Sequence, residues 1–301
     1  MEFKDFLLHK KDFLSYLEVE KNLSDNTLRS YKSDLQVFIQ FWETINKSEH
    51  TALELRRALD RYFVALFHKK IDNHSIARKM SCLKSFERFL HTKGIELKLK
   101  LKRPRVNKKL PTYLSIEEMV YLLDEAPRQG LPSKLPIRDA AVLELLYASG
   151  IRCAELCSIR LQDVDLEQKI IRIKGKGRKE RFALFGTKAQ EKLRAYLMHE
   201  RLPARNLEEP FFITSRNEPI HPRCVQRIMD MFQRFLKDGK TLTPHKVRHS
   251  FATHLLNQGA DLRTVQELLG HKTLATTEKY THVTSAQLVT MCDELHPLSA
   301  A

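Results

Sequence analysis

Between Leu99 and Pro111 the chain reads Leu-Lys-Leu-Lys-Arg-Pro-Arg-Val-Asn-Lys-Lys-Leu-Pro, a basic run with two prolines and no helical spacing of its apolar residues. Proline removes a backbone donor and clashes with the preceding turn, so no regular helix crosses this stretch. It reads as an inter-domain linker over 102–111, with one domain before it (1–101) and a second after it (112–301). A length of 301 residues, at about 100–200 residues per domain, provides for two domains.

The two parts differ in period. In the first, Ser24 stands as an N-cap before Leu28, Tyr31, Leu35, Phe38, Ile39 and Trp42, an apolar stripe at helical spacing. A second helix is expected from about Asn73 to His91. Its inward face would carry Ile76, Met80, Leu83, Phe86, Phe89 and Leu90, and its outward face Arg78, Lys79, Lys84 and Arg88. After the linker, Ser115-Ile116-Glu117-Glu118 has the form of a capping box, and Arg138 to Ser149 reads as a helix stopped by Gly150. The period then changes. Lys169–Lys174 and Glu180–Leu184 are short β-prone runs around a basic turn, Gly175-Lys176-Gly177-Arg178-Lys179, and from Pro222 onward the pattern is helical again. The expected fold is mainly α, with a small antiparallel sheet confined to the C-terminal domain.

Charge narrows the partner. A formal net charge of +15 and a pI near 9.6 concentrate polyanions at the surface, and nucleic acid is the obvious one. An anionic membrane is the rival, but the sequence has no uncharged apolar run of about 18 residues. The start, Met1-Glu2-Phe3-Lys4-Asp5, does not resemble a signal peptide, so the cytoplasm is the expected location. The five cysteines form no C-x-x-C pair, and no metal or cofactor is expected.

Four segments can carry chemistry on an anion. Thr243 can cap a helix whose first residue is Pro244, which places His245 in the first turn and Arg248 three residues on, sharing its face. Together they could grip one phosphate, or they could be a basic helix face with incidental histidines. In the second segment, Arg152 follows Gly150 at once, with Glu155 one turn further on to orient the guanidinium or simply cap the helix. The third is the hairpin turn, where Lys176 lies between two glycines that let the backbone approach a ligand. The fourth runs from Gly270, which ends a helix, through His271 to Tyr280 among polar neighbours. A phenol has an ordinary pKa near 10 and needs cations or a base beside it to act as a nucleophile.

Arg152, Lys176, His245 with Arg248, His271 and Tyr280 occur in an order and spacing that resembles the tyrosine recombinase (phage integrase) family. The strings Pro244-His245-Lys246-Val247-Arg248-His249-Ser250-Phe251-Ala252-Thr253-His254, Leu268-Leu269-Gly270-His271 and Tyr280-Thr281-His282-Val283 are most similar to its bacterial Xer branch. The resemblance covers nearly the whole chain. It departs at Cys153-Ala154, at Phe185 where proline is frequent, and in a linker without Asn-Pro; no catalytic position is touched.

The resemblance implies a SAM-like helical core-binding domain followed by an α+β catalytic domain. It further implies site-specific strand exchange through a 3′-phosphotyrosyl link made by Tyr280, without ATP or metal. Arg152 and Arg248 would stabilise the phosphate, His245 and His271 would hydrogen-bond it, and Lys176 would protonate the leaving oxygen. Asn26, Arg29, Arg78 and Lys79 are candidate DNA contacts. Double-stranded DNA, a homo- or hetero-tetramer on it with a second recombinase, and a septal DNA translocase of the FtsK type are the partners implied. A tail helix bearing Leu288, Val289, Met291 and Leu295 could pass to a neighbouring subunit. The expected biological role is the resolution of chromosome or plasmid dimers at cell division. A catalytically silent DNA-binding regulator on the same fold, a phage or mobile-element integrase and a type IB topoisomerase are the alternatives.

Overall fold

A computed structural model describes residues 1–21, 23, 25–49, 52–99, 101, 104, 113–174, 180–237 and 239–270, with the side chains at 25, 26 and 49 excepted. The chain forms two compact units, Met1–Leu110 and Pro111–Ala301.

The first unit contains helices α1 (Phe3–Val19), α2 (Asp25–Glu49), α3 (Leu55–His68) and α4 (Asn73–Thr92). Their inward stripes carry aromatic residues at helical spacing. Phe6, Phe13, Phe38, Trp42, Phe86 and Phe89 are all fully buried and meet largely edge-on or tilted, as in Phe6–Phe38 with centroids 5.5 Å apart. The indole N–H of Trp42 donates to the Leu53 carbonyl at 3.1 Å, so its one polar atom is not stranded in the core. The inward face expected for α4 is buried at every named position. Its N-cap is Asp72, whose carboxylate accepts from the backbone N–H groups of His74 and Ser75. Ser24, expected to cap α2, lies outside the described residues.

The second unit is built around α7 (Pro136–Ser149). From Ala141 to Ser149 every residue of α7 is buried, as expected of a helix surrounded on all sides. Packed on it are α9 (Thr187–His199), α10 (Pro222–Gln233) and α11 (Pro244–Asn257). Before it, the expected capping box is present. Ser115 Oγ accepts from the Glu118 N–H at 3.2 Å, and the Glu118 carboxylate accepts from the Ser115 N–H at 2.9 Å. This cap opens α5 (Ile116–Val120), which continues through a π-helical turn, Tyr121–Glu125, into α6 (Ala126–Arg128).

Strands β1 (Val164–Asp165), β2 (Ile170–Lys174) and β3 (Glu180–Leu184) form an antiparallel sheet in that order, with Ile171 opposite Ala183 and Ile173 opposite Arg181. The β2–β3 hairpin agrees with the sequence reading. β1, two residues long, is too short to leave a period.

Helix α11 also closes the start of this unit. The ring of His254 lies between the Tyr147 hydroxyl at Nδ1 and the Leu114 carbonyl at Nε2, both at 2.8 Å. A carbonyl only accepts, so Nε2 carries the proton and Nδ1 accepts from Tyr147. Burial pushes the pKa of this imidazole down, which keeps it neutral. Ser250, one turn earlier, accepts from the Leu114 N–H at 2.9 Å. His254 is therefore structural.

Candidate active site

Three helix ends and a strand converge at one place in the second unit. α7 ends at Gly150, whose φ of 57° is left-handed. A Cβ there would lie 2.5 Å from the Phe251 ring and 2.9 Å from Leu269, so both the backbone angle and the space favour glycine. The tight turn lets Arg152 follow at once as the N-cap of α8 (Cys153–Ser158). α12 (Leu262–Leu269) ends the same way at Gly270, φ 64°, where a Cβ would overlap the side chain of Arg181 on β3.

Arg248, on α11, joins these ends. Its guanidinium is buried and donates through Nη1 to the Gly150 carbonyl and through Nη2 to the Leu269 carbonyl at 2.7 Å. Both acceptors stand at helix C-termini, where the peptide dipoles leave partial negative charge for a cation to meet.

Arg152 donates through Nη1 to Glu155 Oε1 at 2.9 Å, and its backbone N–H donates to Glu155 Oε2 at 2.8 Å. Glu155 thus caps the helix and orients the arginine at once, which unites the two roles left open by the sequence. The other partner of Oε2 is Arg181, at 2.9 Å. Glu155 is nearly buried at 10% side-chain exposure, whereas Arg152 is 48% exposed and opens to solvent.

The electrostatic consequence is an excess of positive charge. Three guanidiniums, Arg152, Arg181 and Arg248, share the field of one carboxylate. Burial, then the charges of Arg152 and Arg181, bring the pKa of Arg248 down to about 10, with Glu155 opposing them. Arg248 remains charged at neutral pH, in a place that an additional anion would stabilise.

His245 occupies the first turn of α11 as expected and is exposed, with Thr243 Oγ1 accepting from the Lys246 N–H at 3.2 Å to cap the helix. Lys176, His271 and Tyr280 lie outside the described residues.

Arg181 is the residue that the sequence reading missed. It sits inside the charge run Arg178-Lys179-Glu180-Arg181, which disguises it as surface. The period of two along β3 was the available signal. It puts Arg181 on the same face as buried Ala183, beside buried Ile173 of β2.

In the first unit, Arg78 and Lys79 are both engaged with Asp34 of α2, Lys79 Nζ at 2.9 Å from Oδ1. Arg78 stays 45% exposed, but Lys79 is only 12% exposed and turns inward, not onto the outward basic face expected of it. The reason is Asp34 itself, a buried carboxylate that needs compensation. Arg29 is exposed on α2, and the side chain of Asn26 is not among those described.

No group of three or more His, Cys, Asp or Glu among the described residues could hold a metal ion, and no described helix is long and apolar enough to cross a membrane.

Residues 112–287 match the model of the phage integrase family, and residues 11–94 match that of the phage integrase N-terminal SAM-like domain. The chain belongs to the phage integrase family. Among curated relatives of this phage integrase, the tyrosine recombinase XerC of Thermodesulfovibrio yellowstonii is 37% identical over 298 residues, 96% of each chain. XerC of Staphylococcus aureus strain MSSA476 is 39% identical over 291 residues, 95% of each. Two solved structures share the fold. One is XerH recombinase bound to its difH substrate before cleavage, with TM-score 0.66 and 24% identity, covering 85% of this chain and 76% of that one. The other is the Tn1549 transposon integrase with circular intermediate DNA, with TM-score 0.65 and 15% identity, covering 98% and 94%. The chain is a tyrosine recombinase, an enzyme of site-specific DNA recombination.

Proposed function

We propose that the arginine cluster holds the scissile phosphate of duplex DNA while Tyr280 attacks it. The observation that carries this reading is the charge imbalance among the described residues: guanidiniums from α11 and from the start of α8 are assembled around the Glu155 carboxylate, and a phosphate supplies further negative charge. In the reaction the phenol oxygen of Tyr280 bonds to phosphorus and the bond to the 5′-oxygen breaks. A 3′-phosphotyrosyl link remains, and the 5′-oxygen takes a proton. Arg152 and Arg248 stabilise the charge that builds on the non-bridging oxygens, where preorganised donors act most strongly. His245 and His271 hydrogen-bond the same oxygens and assist proton transfer, and Lys176 delivers the proton to the leaving oxygen. Glu155 orients Arg152. The released 5′-hydroxyl of a partner duplex reverses the step, so the energy of the broken bond is kept and neither ATP nor a metal is required.

Residues 1–101 serve as the core-binding domain and 112–301 as the catalytic domain, joined by the basic linker 102–111. Arg29 and Arg78, exposed in the first unit, are DNA contacts of this reading, with Asn26 one helical turn before Arg29 in sequence. Lys79 acts through Asp34, holding α2 and α4 together. The strand exchange serves dimer resolution at cell division in the cytoplasm. It runs in a tetramer of identical or paired recombinases, with a septal translocase of the FtsK type as activator. This reading is supported by XerC-named relatives along nearly the full chain.

The experiment is to incubate the full chain with duplexes nicked opposite candidate cleavage points and look for a denaturation-resistant protein–DNA adduct. The adduct forms with the wild type and disappears with Tyr280→Phe. Specific DNA binding with no adduct would instead establish the silent regulator.

A further inference from the structure

Arg181 has no assigned role in the chemistry above, yet it joins Glu155 to the last turn of α12. Strand register turns it inward opposite Ile173, and its side chain is 19% exposed. One guanidinium nitrogen, Nη2, holds Glu155 Oε2 at 2.9 Å. The other, Nη1, reaches the Leu268 carbonyl in the last turn of α12 at 3.4 Å. The adjacent carbonyl, Leu269, is the one taken by Arg248. Beneath this guanidinium lies Gly270, where any Cβ would displace the Arg181 side chain.

We propose that Arg181 is a positioning residue: it fixes Glu155 and the end of α12 with one guanidinium, and so sets the direction in which Arg152 points. The inference rests on the reading that Arg152 meets the scissile phosphate.

The physical reason lies in how a carboxylate is shared. Glu155 gives Oε1 to the Arg152 side chain and Oε2 to the Arg152 backbone and Arg181. With Arg181 in place, Oε2 is anchored and Oε1 alone is left to aim the Arg152 fork. Without it, only the Arg152 backbone N–H holds Oε2, and the carboxylate can turn to take the Arg152 side chain in a two-pronged pair, which draws the fork away from solvent and toward Glu155. The other end of the brace matters too, because His271 follows Gly270 directly in sequence. Arg181 thus ties the Gly150–Arg152 turn to the end of α12. Its bonds to Glu155 and Leu268 and its low exposure make it a brace, not a DNA contact.

The test uses the full chain and single-turnover cleavage of a nicked duplex, with DNA affinity measured over a range of salt concentrations. Arg181→Gln is expected to slow cleavage about 10–100-fold, the scale of a misdirected catalytic group. DNA affinity and its salt dependence should stay unchanged. Arg181→Lys, which can pair with Glu155 but cannot fork to Leu268, should recover part of the rate. Gly270→Ala, which displaces Arg181 with no change of charge, should reproduce the loss and serves as the second variant if Arg181→Gln folds poorly. On an Arg152→Ala background, Arg181→Gln should cost little more, because it acts through Arg152.

Equal losses on both backgrounds would overturn the proposal. So would a fall of about one in the salt slope, the mark of a direct phosphate contact. Normal cleavage by Arg181→Gln and Gly270→Ala would overturn it alone and leave the functional reading standing. A wild-type chain that forms no adduct would overturn the functional reading and the proposal with it.

Discussion

Two groups of buried charge stand along α7, and they are built on opposite principles. In the middle of the helix, Glu144, fully buried, meets Lys192 at 2.6 Å, and Lys192 and Lys188 both reach Asp124 within 3.6 Å. Acids and bases match in number there. At the helix end, Arg152, Arg181 and Arg248 gather, among the described residues, round Glu155. The balanced group ties α7 to α9 through the Glu144–Lys192 pair. On the proposed reading, the group at the helix end is completed by the scissile phosphate. Burial of charge is thus no sign of function by itself, but its imbalance is.

The largest expected effects test the unbalanced group. Arg152→Ala and Arg248→Ala should each slow single-turnover cleavage by about 10²–10³ or more, the scale of losing one preorganised donor to a developing oxyanion. Arg248→Ala should also lower thermal stability, because it strands the Gly150 and Leu269 carbonyls, while half-exposed Arg152 should be nearly neutral there. The balanced group should behave the other way. Lys192→Ala leaves the Glu144 carboxylate buried and unpaired, at a cost of about 3 kcal/mol in denaturant unfolding. Cleavage per folded molecule should be unchanged; a large loss would erase the distinction between the two groups.

Gly150→Ala should fall between them, since the left-handed angle and the overlap with Phe251 together cost roughly 2 kcal/mol. Because Gly150 also supplies a carbonyl to Arg248, its cleavage rate should fall beyond what the lost folded fraction explains. Unfolding curves paired with rates check both.

The smallest effect concerns His254. Its pKa is depressed in the native state, so below the ordinary value of 6.5 the unfolded chain takes up a proton that the native chain refuses. The stability it contributes is present above that value and lost as pH falls below it, toward the native pKa. Denaturation across this window should show a shallower pH dependence in His254→Asn than in the wild type.

Much of this arrangement is legible in the sequence. The Ser115 capping box, the glycine stops at 150 and 270, the Thr243–Pro244 helix start and the hairpin strands all depend on local chemistry that a few neighbouring residues determine. Arg152, Glu155 and Arg248 could be named because turn and helix starts present them.

What escaped was set by long-range contact. Arg181 reads as one more charge in a basic hairpin until the register puts it beside Ile173, and its partners lie 26 and 87 residues away. Lys79 reads as outward until Asp34, 45 residues earlier, is found buried against it. Helix α9 buries only Ala189, Leu193 and Tyr196, a stripe too narrow to stand out.

The central claim is that the arginines answer the charge of a phosphate, and changing that charge tests it most directly. Cleavage should be compared on a nicked duplex with a normal phosphodiester and on one with a neutral methylphosphonate at the cleavage point, using the wild type and Arg248→Ala. The penalty of losing Arg248, about 10²–10³ on the phosphodiester, should shrink by at least roughly an order of magnitude on the neutral linkage. An equal penalty on both substrates would contradict the account and leave Arg248 as a structural tie between α7 and α12.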